Sequence, residues 1–264
     1  MSALPVLLPD DLSRHLSRAA DLVRRGAARR EALPTAVPPF DRLLSGGLPR
    51  GTLVEVTGRR SSGRFSLALS VLAAATGAGE AAAFVDLGDH FDPQAAAAFG
   101  ADLPRLLWVR PRTLKEALLS TETLLSAGVP LVVLDLGLAT SKISLGRRAR
   151  HAFAFLRLSR TAESHGAALL VLSPFRVAGP AAEALLAAGG ARIGWSRSLS
   201  SGRAALPLLL GLSSRLFLEK LRGRRPGAAE PLPLRAPGAL SSASHHAPRL
   251  PDRSDVPARR AAQE

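Results

Sequence analysis

Hydrophobic positions along the middle of this chain alternate between strand-like and helix-like spacing. Two helix starts carry capping signals: Asp92-Pro93 places an acidic N-cap before a proline, and Thr113 to Glu116 forms a capping box. Strands separated by helices of this length predict an α/β fold with a mostly parallel sheet. The predicted strands cover residues 52–57, 81–86, 106–110, 131–135 and 167–172, and the predicted helices cover 66–72, 113–128 and 146–164.

The two ends of the chain differ from this middle. Residues 10–30 have the spacing of an amphipathic helix, which either docks on another protein or packs on its own domain. From Arg192 onward, short strand-like pieces alternate with turns, and from Gly223 the chain is rich in Pro, Ala, Ser and Arg without periodicity. We therefore predict a helix and linker at 1–34, an α/β core at 35–222 and a disordered tail at 223–264.

Composition limits the chemistry that the chain can perform. With 264 residues and 47% hydrophobic content, it can bury one sizeable core. It has no cysteine, which excludes disulfides, thiolate metal sites and cysteine catalysis and suits a cytoplasmic protein. No signal peptide is apparent and no membrane span is expected. The six histidines show no ligand pair at i, i+4, so no metal site is predicted.

The net charge of +14 comes almost entirely from arginine. Such basicity suggests an acidic partner such as nucleic acid. A GC-rich genome, which favours Arg, Ala, Gly and Pro codons, explains the same composition equally well.

The segment from Gly58 to Phe65 has the spacing of a phosphate-binding loop, G-x-x-x-x-G-K-[ST]. It lies between a predicted strand and a predicted helix. Two working positions depart from the pattern. Arg64 replaces the lysine, and Phe65 replaces the hydroxyl that would bind Mg²⁺, which requires oxygen ligands. The candidate nucleotide-binding residues, in this degenerate form, are Gly58, Ser61, Ser62, Gly63, Arg64 and Phe65, together with Asp135 at the end of a later strand.

These motifs together resemble the RecA family over roughly residues 35–220. The resemblance lies in the segment from Gly46 to Gly51, in the loop from Gly58 to Phe65, and in Ala83-Phe84-Val85-Asp86 followed by Phe91-Asp92-Pro93. Leu131 to Asp135 is similar to the second nucleotide motif of that family. The resemblance implies a RecA-like P-loop core.

The departures from the family pattern concern catalysis. Gly88 stands where the family has its catalytic glutamate, and Ser173-Pro174 stands where it has an Asn-Gln pair that senses the γ-phosphate. The DNA-binding loop that follows is shortened to about Phe175–Gly179. Loss of one charge-stabilising group often costs ~10²–10³ in rate. We expect no useful ATPase activity and no required cofactor, although residual ATP or ADP binding is compatible with the loop.

Shortened, basic RecA relatives of this kind are similar to the ImuA family. That likeness implies a non-catalytic adaptor of SOS-induced, error-prone translesion DNA synthesis, which bridges RecA and an ImuB-like homologue of Y-family polymerases. Two alternatives stay open. One is a divergent ATPase in DNA repair that uses Arg64, Asp89 and Asp135, and the other is a SulA-like inhibitor of cell division.

Weak contact with DNA is a separate expectation. Basic residues follow the Asp135 strand, where the family places its first DNA-contacting loop: Lys142, Arg147, Arg148 and Arg150. Such a cluster could follow phosphates in a sequence-independent, salt-sensitive manner. Stacking aromatics are scarce, because Trp108 and Trp195 both lie in predicted strands and are expected in the core.

Overall fold

A computed structural model describes residues 31–137, 148–195 and 209–235. Its centre is an eight-stranded sheet in the order β10-β9-β8-β3-β7-β6-β4-β5. A two-stranded sheet pairs β1 with β2. The strands are β1 (Ala32–Leu33), β2 (Leu48–Pro49), β3 (Thr52–Gly58), β4 (Ala82–Asp86), β5 (Leu106–Val109), β6 (Leu131–Asp135), β7 (Ala168–Ser173), β8 (Ala184–Trp195), β9 (Leu209–Leu221) and β10 (Ala229–Arg235).

Six neighbouring strands of the large sheet, β8, β3, β7, β6, β4 and β5, run parallel. The last two strands, β9 and β10, add to β8 in antiparallel fashion. The predicted α/β fold with a mostly parallel sheet is therefore confirmed. Within the described ranges, no helix is long and apolar enough to cross a membrane.

Helices cover both faces of the sheet. One face packs against α1 (Pro38–Leu44), α2 (Arg64–Gly77) and α3 (Pro93–Ala98), and the other against α4 (Leu114–Ser126) and α5 (Arg148–His165). Alternate residues of each central strand enter the two layers, as Val54 and Leu53 of β3 show. Because both faces are covered, β3, β4 and β6 are buried throughout, and β4 and β6 are accordingly apolar up to their final aspartate.

The two predicted capping signals are confirmed. Asp92 accepts a hydrogen bond from the Gln94 N–H at 2.8 Å, directly before Pro93 begins α3. Thr113 Oγ1 accepts from the Glu116 N–H at 3.2 Å at the start of α4. The predicted helix at residues 10–30 lies outside the described residues.

The prediction of a disordered tail from Gly223 is wrong for residues 229–235. These residues form β10, which pairs with β9 along its whole length. Leu232 and Leu234 are buried while Pro231 and Pro233 are exposed, so the strand alternates between core and solvent. The prolines are tolerated because β10 is an edge strand. Residues 236–264 lie outside the described part of the chain.

The prediction that both tryptophans lie in the core is also wrong for one of them. Trp108 in β5 is half-buried, but Trp195 at the end of β8 has 55% of its surface exposed. The apolar side chains of Ile193, Leu209 and Leu210 are exposed at the same end of the hairpin. The β8–β9 pair therefore extends beyond the helices that cover the rest of the sheet.

Candidate functional site

The glycine-rich loop connects β3 to α2, in the strand–turn–helix context that the sequence predicts. Gly63 precedes α2 with a φ of 90°, and Ser61 has a φ of 60°. At the φ of Gly63 an L side chain is strained, and a Cβ atom there would also lie 2.6 Å from Leu234 Cδ1, so this position favours glycine. The Ser62 N–H donates to the Arg59 carbonyl oxygen at 3.1 Å. The loop thus forms a tight turn against the N-terminus of a helix, where anions are favoured.

Polar groups of the loop divide between its inner and outer sides. Ser62 Oγ is buried and has no hydrogen-bond partner among the described residues. The Ser62 carbonyl oxygen accepts from Ser214 Oγ of β9 at 2.7 Å, which ties the loop to the hairpin. Arg59 and Arg60 are exposed on the outer side. An anion approaching from solvent would meet these two guanidinium groups first.

Arg64 points into the protein. Only 6% of its surface is exposed. Its guanidinium donates to the Gly58 carbonyl oxygen at the end of β3 and, at 3.0 Å, to the Gly137 carbonyl oxygen beyond β6. Burial lowers the pKa of Arg64, and the nearby Asp135 carboxylate opposes that shift. The side chain therefore links two strand ends inside the core.

Phe65 belongs to an aromatic cluster beneath the loop, formed by Phe65, Phe84, Phe91 and Trp108. The Phe65 ring meets Phe84 edge-on, with ring centroids 5.7 Å apart. Phe84 packs on Phe91 at 4.9 Å, and Phe91 packs on Trp108 at 5.3 Å. The side chain that replaces the expected hydroxyl thus contributes to packing, since such pairs stabilise by about 0.5–1.5 kcal/mol beyond their buried area.

The loop after β4 leaves no room for a side chain at Gly88. A Cβ atom there would lie 2.4 Å from His90 Nδ1 and 2.7 Å from the Gly137 Cα atom. The neighbouring Asp89 accepts hydrogen bonds of 2.9 and 3.0 Å from the Arg110 guanidinium, and both side chains are largely exposed. The carboxylate nearest in sequence to the expected glutamate is thus engaged at the surface.

Asp86, His90 and Asp135 form a cluster at the carboxyl ends of β4 and β6. One potential ligand atom from each side chain lies within 4.8 Å of the others. Asp86 and Asp135 are paired in register and each is 1% exposed, whereas His90 covers them from the solvent side. Burial raises the pKa of Asp135, and the Asp86 carboxylate adds to that effect.

Sequence reasoning did not identify His90 as part of this cluster. Its spacing from Asp86, at i, i+4, was the available signal, but the third member comes from a neighbouring strand. Asp86 accepts from the His90 N–H at 3.1 Å and the Phe91 N–H at 2.9 Å. Asp135 Oδ1 accepts from the Gly137 N–H at 3.1 Å.

Ser173, at the end of β7, faces a buried carboxylate. Its Oγ lies 3.1 Å from Glu55 Oε1 of β3. Glu55 also accepts from the Val177 N–H at 2.7 Å and the Ala178 N–H at 3.2 Å. Burial raises the pKa of Glu55, and these hydrogen bonds oppose the shift. The short segment after β7 is therefore fastened to the strand that leads into the loop.

A pocket of about 470 Å³ opens beside the loop. Its polar side is formed by the residues from Arg59 to Arg64 together with His90 and Asp135. Its apolar side comes from the last three strands, through Ile193, Leu209, Leu212 and Leu234. The pocket thus brings all the predicted nucleotide-site residues except Gly58 to one wall, facing hairpin side chains that the sequence did not indicate.

The predicted DNA-contacting residues fall at the boundary of the described chain. Lys142 and Arg147 lie outside it. Arg148 and Arg150 belong to the first turn of α5, which begins beyond the Asp135 end of β6. Their proposed contact with DNA stays a prediction.

The residues present do not fit a nucleotide-bound Mg²⁺ ion of the usual P-loop kind. Phe65 offers no oxygen, and the Arg64 guanidinium already lies between the loop and the strand that ends at Asp135. Mg²⁺ requires nearly ideal octahedral oxygen coordination. We therefore derive no catalytic step through a bound metal.

Comparison with known proteins finds similarity to RecA over the first half of the chain. Residues 24–143 match the RecA N-terminal domain family. RecA of Symbiobacterium thermophilum is 45% identical over 107 residues, which cover 40% of this chain and 31% of that protein. RecA of Crocosphaera subtropica is 38% identical over 133 residues, covering 49% of this chain and 38% of that protein. The matches span about a third of the length of these RecA proteins.

A solved structure shows the same fold over more of the chain. The RadB recombinase superposes with a TM-score of 0.56 and 20% sequence identity, covering 75% of this chain and 94% of that one. The protein therefore has a RecA-like α/β fold, and its residues 24–143 match the RecA N-terminal domain family.

Proposed function

We propose that this protein is a non-catalytic, RecA-like adaptor in DNA repair that supports SOS-induced, error-prone translesion synthesis. It binds RecA and an inactive, ImuB-like homologue of Y-family polymerases, and so brings the two together at lesions. The family match over residues 24–143 and the RadB-like fold support a role beside recombination proteins. DNA contributes at most weak, salt-sensitive contacts.

The observation that carries the proposal is the direction of the Arg64 side chain. A P-loop cation acts on phosphates only when its charge faces the ligand. The Arg64 guanidinium instead binds two main-chain carbonyl groups inside the protein. Gly88 adds to this, because the surrounding atoms exclude a glutamate side chain at the position where the family has its catalytic base. A core arranged in this way is better suited to presenting surfaces than to hydrolysing ATP.

The test is a pull-down of the full chain against RecA and the ImuB-like protein of the same organism. Nuclease and moderate salt exclude bridging by DNA. Variants that lack residues 1–30 or 236–264 locate the contact without disturbing β10, which belongs to the sheet. Retention of both partners, with loss of one in a truncated variant, is the expected result.

Three outcomes would oppose the proposal. Capture of neither partner removes the adaptor role. Steady Mg²⁺-ATP turnover that Asp135→Ala abolishes favours the divergent ATPase. Filamentous growth on overexpression in undamaged cells favours the SulA-like inhibitor.

A further inference from the structure

The carboxyl ends of β4 and β6 concentrate buried negative charge. Asp86 and Asp135 lie side by side in register, each 1% exposed, and burial of two such carboxylates without a compensating cation is costly. His90 Nδ1 is 3.7 Å from Asp135 Oδ2, but its side chain is 44% exposed, so solvent competes for it. A buried positive charge on the protein side of this pair would lower that cost.

Arg64 brings a positive charge toward this pair without an ion pair shorter than 4.0 Å, and this charge opposes the rise in the pKa of Asp135. Its guanidinium is held in place by two carbonyl oxygens that belong to different strand ends, Gly58 and Gly137. The same Gly137 donates its N–H to Asp135 at 3.1 Å, so the guanidinium and the carboxylate share one anchoring residue. The planar fork of arginine can make both bonds at once, whereas a lysine ammonium acts as a point charge.

Packing around Arg64 holds this arrangement closed. Phe65, the next residue, is fixed by its edge-on contact with Phe84. On the other side, Leu234 of β10 lies so close to Gly63 that a Cβ atom there would be 2.6 Å from it. Neither neighbour allows the loop to swing outward without losing apolar contacts.

We propose that Arg64 is a permanent internal cation that replaces the metal ion of a P-loop site and holds the loop in one shape without nucleotide. The core then keeps a constant surface whatever the ATP level of the cell. This inference rests on the proposed non-catalytic role, and it adds that the role is independent of nucleotide and of divalent cations.

The experiment compares thermal unfolding of the full chain, Arg64→Ala and the control Arg60→Ala, with and without Mn²⁺. Arg60 is exposed in the same loop, so its substitution removes the same charge without touching the core. Arg64→Ala is expected to lower Tm by on the order of 10 °C, because it removes the donor for the Gly58 and Gly137 carbonyl oxygens and a positive charge near Asp135. Arg60→Ala is expected to unfold like the wild type.

Millimolar Mn²⁺ is expected to restore part of the lost Tm in Arg64→Ala, because Asp86, His90 and Asp135 can then bind it. It is expected to leave the wild type unchanged, as is Mg²⁺-ATP. If Arg64→Ala does not fold, Arg64→Lys takes its place, with a smaller loss of Tm and a smaller gain from Mn²⁺.

A wild-type Tm that rises with Mn²⁺ or Mg²⁺-ATP would overturn the inference. So would Arg64→Ala, or Arg64→Lys in its place, unfolding at the same temperature as Arg60→Ala. These readouts do not involve RecA or the polymerase homologue. If the pull-down captures neither partner but Arg64→Ala still lowers Tm, the result therefore counts against the adaptor role alone.

Discussion

Gly88 is the residue at which the loop after β4 touches the loop after β6. A side chain here would press on the Gly137 main chain, which also receives the Arg64 guanidinium. The contact between these two loops therefore depends on the absence of a Cβ atom. A glutamate at this position would push the two loops apart.

We expect Gly88→Ala to lower the free energy of unfolding by about 1–3 kcal/mol, since overpacking at a site without slack typically has this effect. Gly77→Ala is the matched control, because nothing lies within 4 Å of a Cβ atom there and alanine favours the helix. Urea unfolding of both variants measures the difference. Equal stability of the two variants would contradict the crowding at Gly88.

For individual residues, the sequence predicts which side chains form the site but not the direction in which each side chain points. The substitutions at 64 and 65 are visible from spacing alone, and the structure places both residues at the start of α2, directly after the glycine-rich loop. The inward direction of Arg64 depends on the Gly137 carbonyl group, more than 70 residues away. Periodicity carries no information on such long-range pairing, which also explains why His90 was missed.

Among the elements, β10 contributes more than its composition suggests. Leu232 is fully buried in the layer that contains α1 and α2, and Arg42 of α1 pairs with Glu230 of β10 at 2.8 Å. The neighbouring Leu234 reaches Gly63 in the glycine-rich loop. The strand therefore closes one edge of the sheet over the start of α2.

We expect Leu232→Ala to lower the free energy of unfolding by about 2–5 kcal/mol, the usual effect of emptying a fully buried leucine site. Removal of residues 223–264 should be more damaging still, because it deletes the whole strand. Exposed Pro231→Ala serves as the control and should have a small effect. Thermal unfolding distinguishes these variants. A chain shortened at residue 222 that unfolds like the wild type would show that β10 is dispensable.

Most elements from β3 to β7 could be predicted from the sequence, whereas β1, α1 and β2 before them and the strands after them could not. Apolar strands and a capping box define β3, β4, β6, β7 and α4 to within two residues, and Asp92-Pro93 defines the start of α3. The hairpin and β10 contain many small residues and prolines, which local preference assigns to turns and tails. Pairing with the adjacent strand overrides that preference.

For the whole molecule, Glu55 joins the two halves of the parallel sheet. Its side chain extends from β3 and accepts hydrogen bonds from Ser173 Oγ and from two main-chain N–H groups of the segment between β7 and β8. Its pKa is raised above the ordinary value of 4.5 by burial. The native state therefore retains a proton at a pH where the unfolded chain has already lost it.

As the pH falls through the raised native pKa toward 4.5, protonation favours the native state, and the contribution of Glu55 to stability increases. As the pH rises through the same range, that contribution is lost. We expect the free energy of unfolding of the wild type to gain on that of Glu55→Gln between pH 7 and pH ~5. Parallel pH profiles from urea unfolding would contradict this assignment.

The positions of the two tryptophans give the molecule an optical property. The chain has two tryptophans and no tyrosine, so nearly all of its ultraviolet emission comes from Trp108 and Trp195. Trp108 emits from the aromatic cluster beneath the loop, with the Arg110 guanidinium 4.8 Å from its ring. Trp195 is exposed to solvent at the end of β8, and it lies two residues beyond Ile193, which lines the pocket. The blue-shifted emission of Trp108 therefore reports on the aromatic cluster beneath the loop. The red-shifted emission of Trp195 reports on the exposed end of the β8–β9 hairpin.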